Sequence, residues 1–116
     1  MTTLKAAAET AIGDYKTGLT FYQKCQYEKA LQYFQSASDE DFNFWQSYQM
    51  TGYCYFYLRD KDGAISAFET SLRLHPNNPS LKRFCDGLKK GTMDILLQPV
   101  AVENSPAPTP VSLGMR

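Results

Sequence analysis

A weak internal repeat constrains the fold of this chain more than any other feature of the sequence. When residues 11–44 are laid over residues 45–78, small residues fall on small residues and rings fall on rings. The matching pairs are Gly18 with Gly52, Phe21 with Tyr55, Tyr22 with Phe56, Glu28 with Asp62, Ala30 with Ala64, Leu31 with Ile65, Phe34 with Phe68, and Ala37 with Ser71. The period of this repeat is typical of a helix–turn–helix unit that stacks on its neighbours. The sequence therefore predicts an all-α protein with two tandem antiparallel helical hairpins.

Apolar residues at three- and four-residue spacing predict the individual helices. The predicted helices cover residues 3–24, 27–38, 42–58 and 61–74, and a fifth begins at residue 79. Asp60 and Asn78 stand where helix N-caps are expected. The acidic residues 39–41 are expected to form the connection between the second and third helices. The fifth helix either ends at Gly91 or continues to residue 97.

The length of 116 residues fits one small domain. We expect a helical domain over residues 1–97, in which residues 79–97 form a capping helix after the two repeats. Four of the six prolines fall after residue 98, and this segment shows no helical period. Its composition predicts a disordered tail over residues 98–116.

Charge and cysteine content exclude several classes of function. Lysine plus arginine equal aspartate plus glutamate at 12 each, which argues against a nucleic-acid-binding protein. The basic residues Lys82, Arg83, Lys89 and Lys90 are expected to form a solvated face of the fifth helix. Three cysteines about 30 residues apart fit neither a disulfide framework nor a zinc site, and we expect reduced thiols that act as small apolar residues. No apolar stretch is long enough for a membrane span or a signal peptide, so a cytoplasmic location is expected.

The second unit carries a recognisable signature. Its residues Tyr48, Gly52, Tyr55, Ala64, Phe68 and Pro76 follow the offsets of the tetratricopeptide repeat. The first unit keeps Gly18, Phe21, Ala30, Phe34 and Ala37, but has Asp14 and Phe42 at the positions of the signature Trp and Pro. Residues 11–78 therefore resemble the tetratricopeptide repeat family. The resemblance implies a right-handed α-superhelix of two repeats, closed by a fifth helix that departs from the signature.

The resemblance also implies a place for a partner, because in this family the first helix of each unit lines a concave groove. The implied groove residues are Ile12, Tyr15, Leu19, Tyr22, Gln23, Gln49, Tyr53, Phe56 and Tyr57, with Arg83 and Phe84 of the fifth helix as the far wall. Family members that bind a C-terminal carboxylate use Lys, Asn and Arg in the groove. The matching positions here are Tyr15, Leu19, Tyr53, Ser80 and Phe84, so that clamp is absent. An aromatic stripe at helical spacing is equally consistent with a core.

These residues predict a protein–protein interaction module, an adaptor or scaffold without a cofactor. An apolar groove suits an extended apolar or aromatic peptide, or an amphipathic helix, of a partner protein. A chaperone for one client protein is a variant of this hypothesis. The alternative is a self-assembling subunit that forms a homodimer through its repeats or its fifth helix. No phosphate-binding loop, metal-ligand cluster or nucleophile–base pair occurs, so we expect no enzymatic activity.

Overall fold

A computed structural model describes residues 4–91, with side chains from residue 9 onward, and within this range it is all helical. The helices are α1 (Leu4–Gln23), α2 (Tyr27–Glu40), α3 (Trp45–Tyr57), α4 (Lys61–Leu74) and α5 (Pro79–Lys90). Helices α1 and α2 pack as one hairpin, α3 and α4 as a second, and α2 lies against α3. Helix α5 packs on α4. The predicted all-α hairpin architecture is confirmed.

The two hairpins turn in the same way. Cys25 and Arg59, which occupy equivalent positions of the two units, both adopt a left-handed backbone conformation, with φ of 62° and 66°. In each turn the next residue donates its N–H to the carbonyl five residues earlier, at 2.9 Å in the first hairpin and 2.8 Å in the second. These bonds satisfy carbonyls that the end of a helix leaves unpaired. The structural repeat therefore includes the turns, where the sequence repeat is not visible.

The glycines of the repeat signature are sites of close helix approach. A Cβ atom on Gly18 would lie 2.7 Å from Cε1 of Phe34, and one on Gly52 would lie 2.5 Å from Cδ1 of Phe68. Both rings are fully buried. The side-chain atoms nearest to both positions belong to these two phenylalanine rings. Each glycine thus provides the space that one large ring fills.

The connection between the hairpins differs from the prediction. Asp39 and Glu40 are the last residues of α2, and the connection begins at Asp41. The Asp41 carboxylate accepts a hydrogen bond from the N–H of Asn43 at 3.1 Å, and the backbone carbonyl of Asp41 accepts one from the N–H of Phe44 at 3.0 Å. This turn keeps Phe42 out of α3, which begins three residues later than predicted.

Buried serines join neighbouring helices. Ser47 of α3 donates its hydroxyl to the carbonyl of Phe34 in α2 at 2.6 Å, and Ser38 donates to Ser47 at 3.2 Å. Within the second hairpin, Ser71 of α4 donates to the carbonyl of Trp45 at 2.9 Å. Because these groups are buried, each bond specifies the register of one helix on the next.

Side-chain caps mark the starts of α4 and α5, and a glycine marks the end of α5. Asp60 accepts the N–H of Gly63 at 2.9 Å, and Asn78 accepts the N–H of Leu81 at 3.3 Å, as predicted. Gly91 follows α5 with φ of 80° and ends the helix at Lys90, which is the first of the two predicted alternatives. The rest of the predicted capping helix, over residues 92–97, and the predicted tail lie outside the described residues.

Candidate functional site

Helix α5 covers part of the predicted groove. Its Phe84 ring lies 5.9 Å from the ring of Tyr53, 5.2 Å from that of Phe56 and 5.6 Å from that of Phe68, measured between centroids. Tyr53 is 1% exposed and Phe56 is 3% exposed. Phe84, predicted as the far wall of the groove, is itself 3% exposed. These three groove positions therefore contribute to the core that holds α5 on the second hairpin.

The remaining predicted groove residues lie on α1, α3 and α5, and Tyr22 among them is buried at 7% exposure. The others contribute to the surface of these helices. Tyr15, Leu19, Gln49 and Tyr57 are half-buried, whereas Gln23, Arg83 and Ile12 are exposed. We call this surface the aromatic face, and its accessible members are Ile12, Tyr15, Leu19, Gln23, Gln49, Tyr57 and Arg83.

Stacked tyrosines join the two hairpins at this face. The Tyr57 ring of α3 stacks on the Tyr27 ring of α2, with centroids 4.7 Å apart and an interplanar angle of 14°. Tyr22 packs edge-on against both, at 6.1 Å from Tyr57 and 5.5 Å from Tyr27. Tyr27 was not among the predicted groove residues, which all lie on the first helix of a unit or on the fifth helix. Its place at the start of α2 brings its ring to α3, and the repeat offset gives no signal for this contact.

Tyr15 marks the other end of the aromatic face. Its ring lies 5.6 Å from that of Phe34 and 4.9 Å from that of Phe44, which precedes α3. Burial raises the pKa of Tyr15 above its ordinary value of 10.0. The hydroxyl therefore stays neutral at physiological pH and offers both a donor and an acceptor.

The buried hydroxyl of Tyr22, below the aromatic face, lacks a hydrogen-bond partner within the described part of the chain, and that of Tyr53 has only the nearby Gln49 amide beside it. Burial is the main reason that the pKa of each tyrosine lies above 10.0. The nearby Tyr57 raises both pKa values further, and the Gln49 amide lowers that of Tyr53 in part. An unpaired buried hydroxyl costs free energy, so Tyr22 is stabilised by ring packing and not by its polar atom.

Other candidate groups contribute no additional site. Lys82 forms an ion pair with Asp86 at 3.7 Å, and Lys89 pairs with Glu69, so two of the four basic residues of α5 have acidic neighbours. Cys54 and Cys85 are buried free thiols as predicted, but Cys25 is exposed. Between residues 4 and 91, no group of three or more His, Cys, Asp or Glu residues is arranged to hold a metal ion.

The second hairpin has the clearest relation to known proteins. Residues 45–78 match the sequence model of the tetratricopeptide repeat, and they coincide with the second predicted unit. This match and the paired hairpins define a helical-repeat protein, a class whose stacked units form interaction surfaces. The match over the second hairpin and the helical fold support a protein of the tetratricopeptide repeat type, whose repeats are protein–protein interaction modules and are typically not catalytic. No curated protein sequence matches the chain. None of the helices between Leu4 and Lys90 has the length and hydropathy of a membrane-spanning segment.

Proposed function

We propose that this protein is an adaptor that binds an apolar or aromatic segment of a partner protein on the aromatic face. The observation that carries the proposal is the chemistry of the accessible surface. It combines half-buried rings and aliphatic side chains with the amides of Gln23 and Gln49, and Arg83 is its one charged member. Tyrosine, with one apolar surface and one polar atom, supplies binding energy at little entropic cost.

The shape of the face supports an extended segment or an amphipathic helix as the ligand. Its accessible residues run along α1 from Ile12 to Gln23 and cross to Gln49 and Tyr57 of α3. Ile12 is 46% exposed and adds accessible apolar area at one end of the face. We propose no cofactor and no catalytic activity, and a cytoplasmic location.

A charge-insertion variant tests the proposal. Gln49→Glu combined with Arg83→Glu places carboxylates on the face, where an apolar ligand would have to desolvate them. The matched control is Gln32→Glu with Arg73→Glu, which makes the same changes of type and charge on exposed positions of α2 and α4. We expect the first variant to capture at least tenfold less partner from a native lysate than the wild type does. The control should capture as much as the wild type.

The same samples address self-association, the rival function. Light scattering gives the molar mass of each variant in solution, and circular dichroism shows whether each remains helical. A dimer that the face variant dissociates and the control variant does not would favour self-assembly. Equal capture by both variants, with both folded, would remove the aromatic face as the binding surface.

A further inference from the structure

A cleft of about 280 Å³ lies between α2 and α4, with α3 as its floor. Its lining includes Asp39 of α2, Thr51 and Tyr55 of α3, and Gly63 and Ala67 of α4. By helical geometry, Thr51 and Tyr55 project from the side of α3 opposite to the aromatic face. The cleft is therefore a separate surface, and its existence does not depend on the proposed adaptor function.

In the first hairpin, the ring equivalent to Tyr55 is that of Phe21, and neighbouring side chains of the same hairpin cover it. Phe21 stacks on Tyr33 of α2, with centroids 5.5 Å apart and an interplanar angle of 17°. The ammonium nitrogen of Lys29 lies 5.4 Å from the centroid of the Phe21 ring. This distance is within the range in which a cation is attracted to the electron-rich face of a ring. The Phe21 ring is thus covered by an aromatic ring and a cation of its own hairpin.

The second hairpin keeps the ring but lacks both covering side chains. Tyr55 is the repeat equivalent of Phe21, and in the same alignment Gly63 replaces the lysine and Ala67 replaces the stacking tyrosine. The Tyr55 hydroxyl accepts a hydrogen bond from the Gln35 amide at 3.0 Å, which orients the ring. A Cβ atom on Gly63 would lie 2.9 Å from Cγ of Tyr55. The cleft therefore occupies the space that the first hairpin fills.

Two polar groups in the cleft have no partner within the described residues. Thr51 is 6% exposed, and its hydroxyl forms no hydrogen bond. In the first hairpin the equivalent Thr17 donates to the carbonyl of Gly13 at 3.0 Å, so the two repeats use this hydroxyl differently. The exposed Asp39 carboxylate forms no ion pair or hydrogen bond that the described side chains supply. A buried hydroxyl and a carboxylate thus face a cleft beside an aromatic ring.

We propose that this cleft binds the guanidinium group of an arginine side chain from a partner protein. Asp39 supplies the opposite charge, Tyr55 supplies the ring that lies beneath the cation, and Thr51 accepts a hydrogen bond. A cleft of this volume has room for one side chain of a partner. A planar guanidinium stacks on a ring and donates several hydrogen bonds at fixed angles, which an ammonium does not do.

Nuclear magnetic resonance titration of the ¹⁵N-labelled chain tests the proposal. The probes are N-acetyl-arginine methylamide, its neutral isostere with citrulline, and the lysine analogue. We expect the arginine probe to shift the amide signals of Thr51, Gly63 and Ala67, and to bind at least tenfold more tightly than the citrulline probe. Equal binding of arginine and citrulline, or no binding of either, would overturn the site. Equal binding of arginine and lysine would overturn its specificity for guanidinium.

Two variants separate ligand binding from folding. Asp39→Asn should weaken arginine binding about tenfold, because a charge-assisted hydrogen bond becomes neutral, and Glu28→Gln on the same helix is the control. Thr51→Val should weaken binding while it raises the melting temperature, since it removes an unpaired buried hydroxyl. A Thr51→Val protein that binds arginine like the wild type would contradict the role of the hydroxyl. The Gln49→Glu, Arg83→Glu variant should bind arginine normally, so this proposal and the adaptor proposal fail separately.

Discussion

Replacing Gly52 by Ala is the sharpest test of how the helices pack. The added methyl group would lie 2.5 Å from Cδ1 of Phe68, well inside van der Waals contact. The ring cannot move away easily, because it is fully buried and held by Tyr53 at 5.0 Å and Phe84 at 5.6 Å. Overpacking of this kind costs about 1–3 kcal/mol. A contact this short places the variant at the upper end of that range, and the higher helix propensity of alanine returns up to about 1 kcal/mol, so we expect a net loss of about 2 kcal/mol.

Gly13→Ala is the matched control for this experiment. Nothing lies within 4 Å of a Cβ atom at Gly13, so alanine should raise stability by up to about 1 kcal/mol through helix propensity alone. Urea and thermal unfolding, followed by circular dichroism, measure both variants. For a domain of this size 1 kcal/mol corresponds to a shift of about 4–8 °C in Tm.

A double variant assigns the cost to one contact. In the Phe68→Leu background the ring is gone, and Gly52→Ala should no longer destabilise the protein, which gives a coupling free energy of about 1 kcal/mol or more. If Gly52→Ala is as stable as the wild type, or if its cost is unchanged in the Phe68→Leu background, the close contact of glycine and ring is refuted.

Three further predictions concern the turns, the seam and the buried tyrosines. Arg59→Gly should leave stability unchanged or raise it by up to about 1 kcal/mol, because glycine adopts positive φ freely. Gln32→Gly, at an exposed position in the interior of α2, should instead cost up to about 1 kcal/mol, and chemical unfolding of both variants checks this contrast. Ser47→Ala should cost about 1 kcal/mol, since the buried carbonyl of Phe34 loses a donor, and urea unfolding measures the loss. Burial raises the pKa of Tyr22, so the folded state retains a proton that the unfolded state releases, and stability should fall as pH rises above about 10. Unfolding at pH 9 and pH 11 should show a smaller decrease for Tyr22→Phe, and an equal decrease would exclude this residue as a cause.

The architecture could be predicted because repeat packing depends on residue size. A glycine opposite a large ring is a local constraint, and Gly18 with Phe34 and Gly52 with Phe68 occur at the same spacing in both units. The caps of α4 and α5 were predictable for a similar reason, because a capping side chain bonds a backbone N–H only three residues away. The start of α3 was not predictable from periodicity, since the turn at Asp41 competes with the helix.

The site was less predictable because exposure depends on what packs from a distance. Tyr53 and Phe56 share the helical spacing of a groove, yet Phe84 of α5 covers them. The sequence contains no local signal for that contact, because α5 departs from the repeat. The stack of Tyr27 on Tyr57 and the cleft beside Tyr55 likewise depend on the relative placement of α2, α3 and α4.

Site-specific photo-cross-linking tests the central proposal, that the aromatic face binds a partner chain. Benzoylphenylalanine placed at Gln49 reports on the face, and the same group at Gln32 of α2 reports on a surface outside it. After irradiation in a native lysate, we predict an adduct with another polypeptide from position 49 and none from position 32. An adduct from position 32 alone, or adducts of equal yield from both positions, would contradict the proposed role of the face.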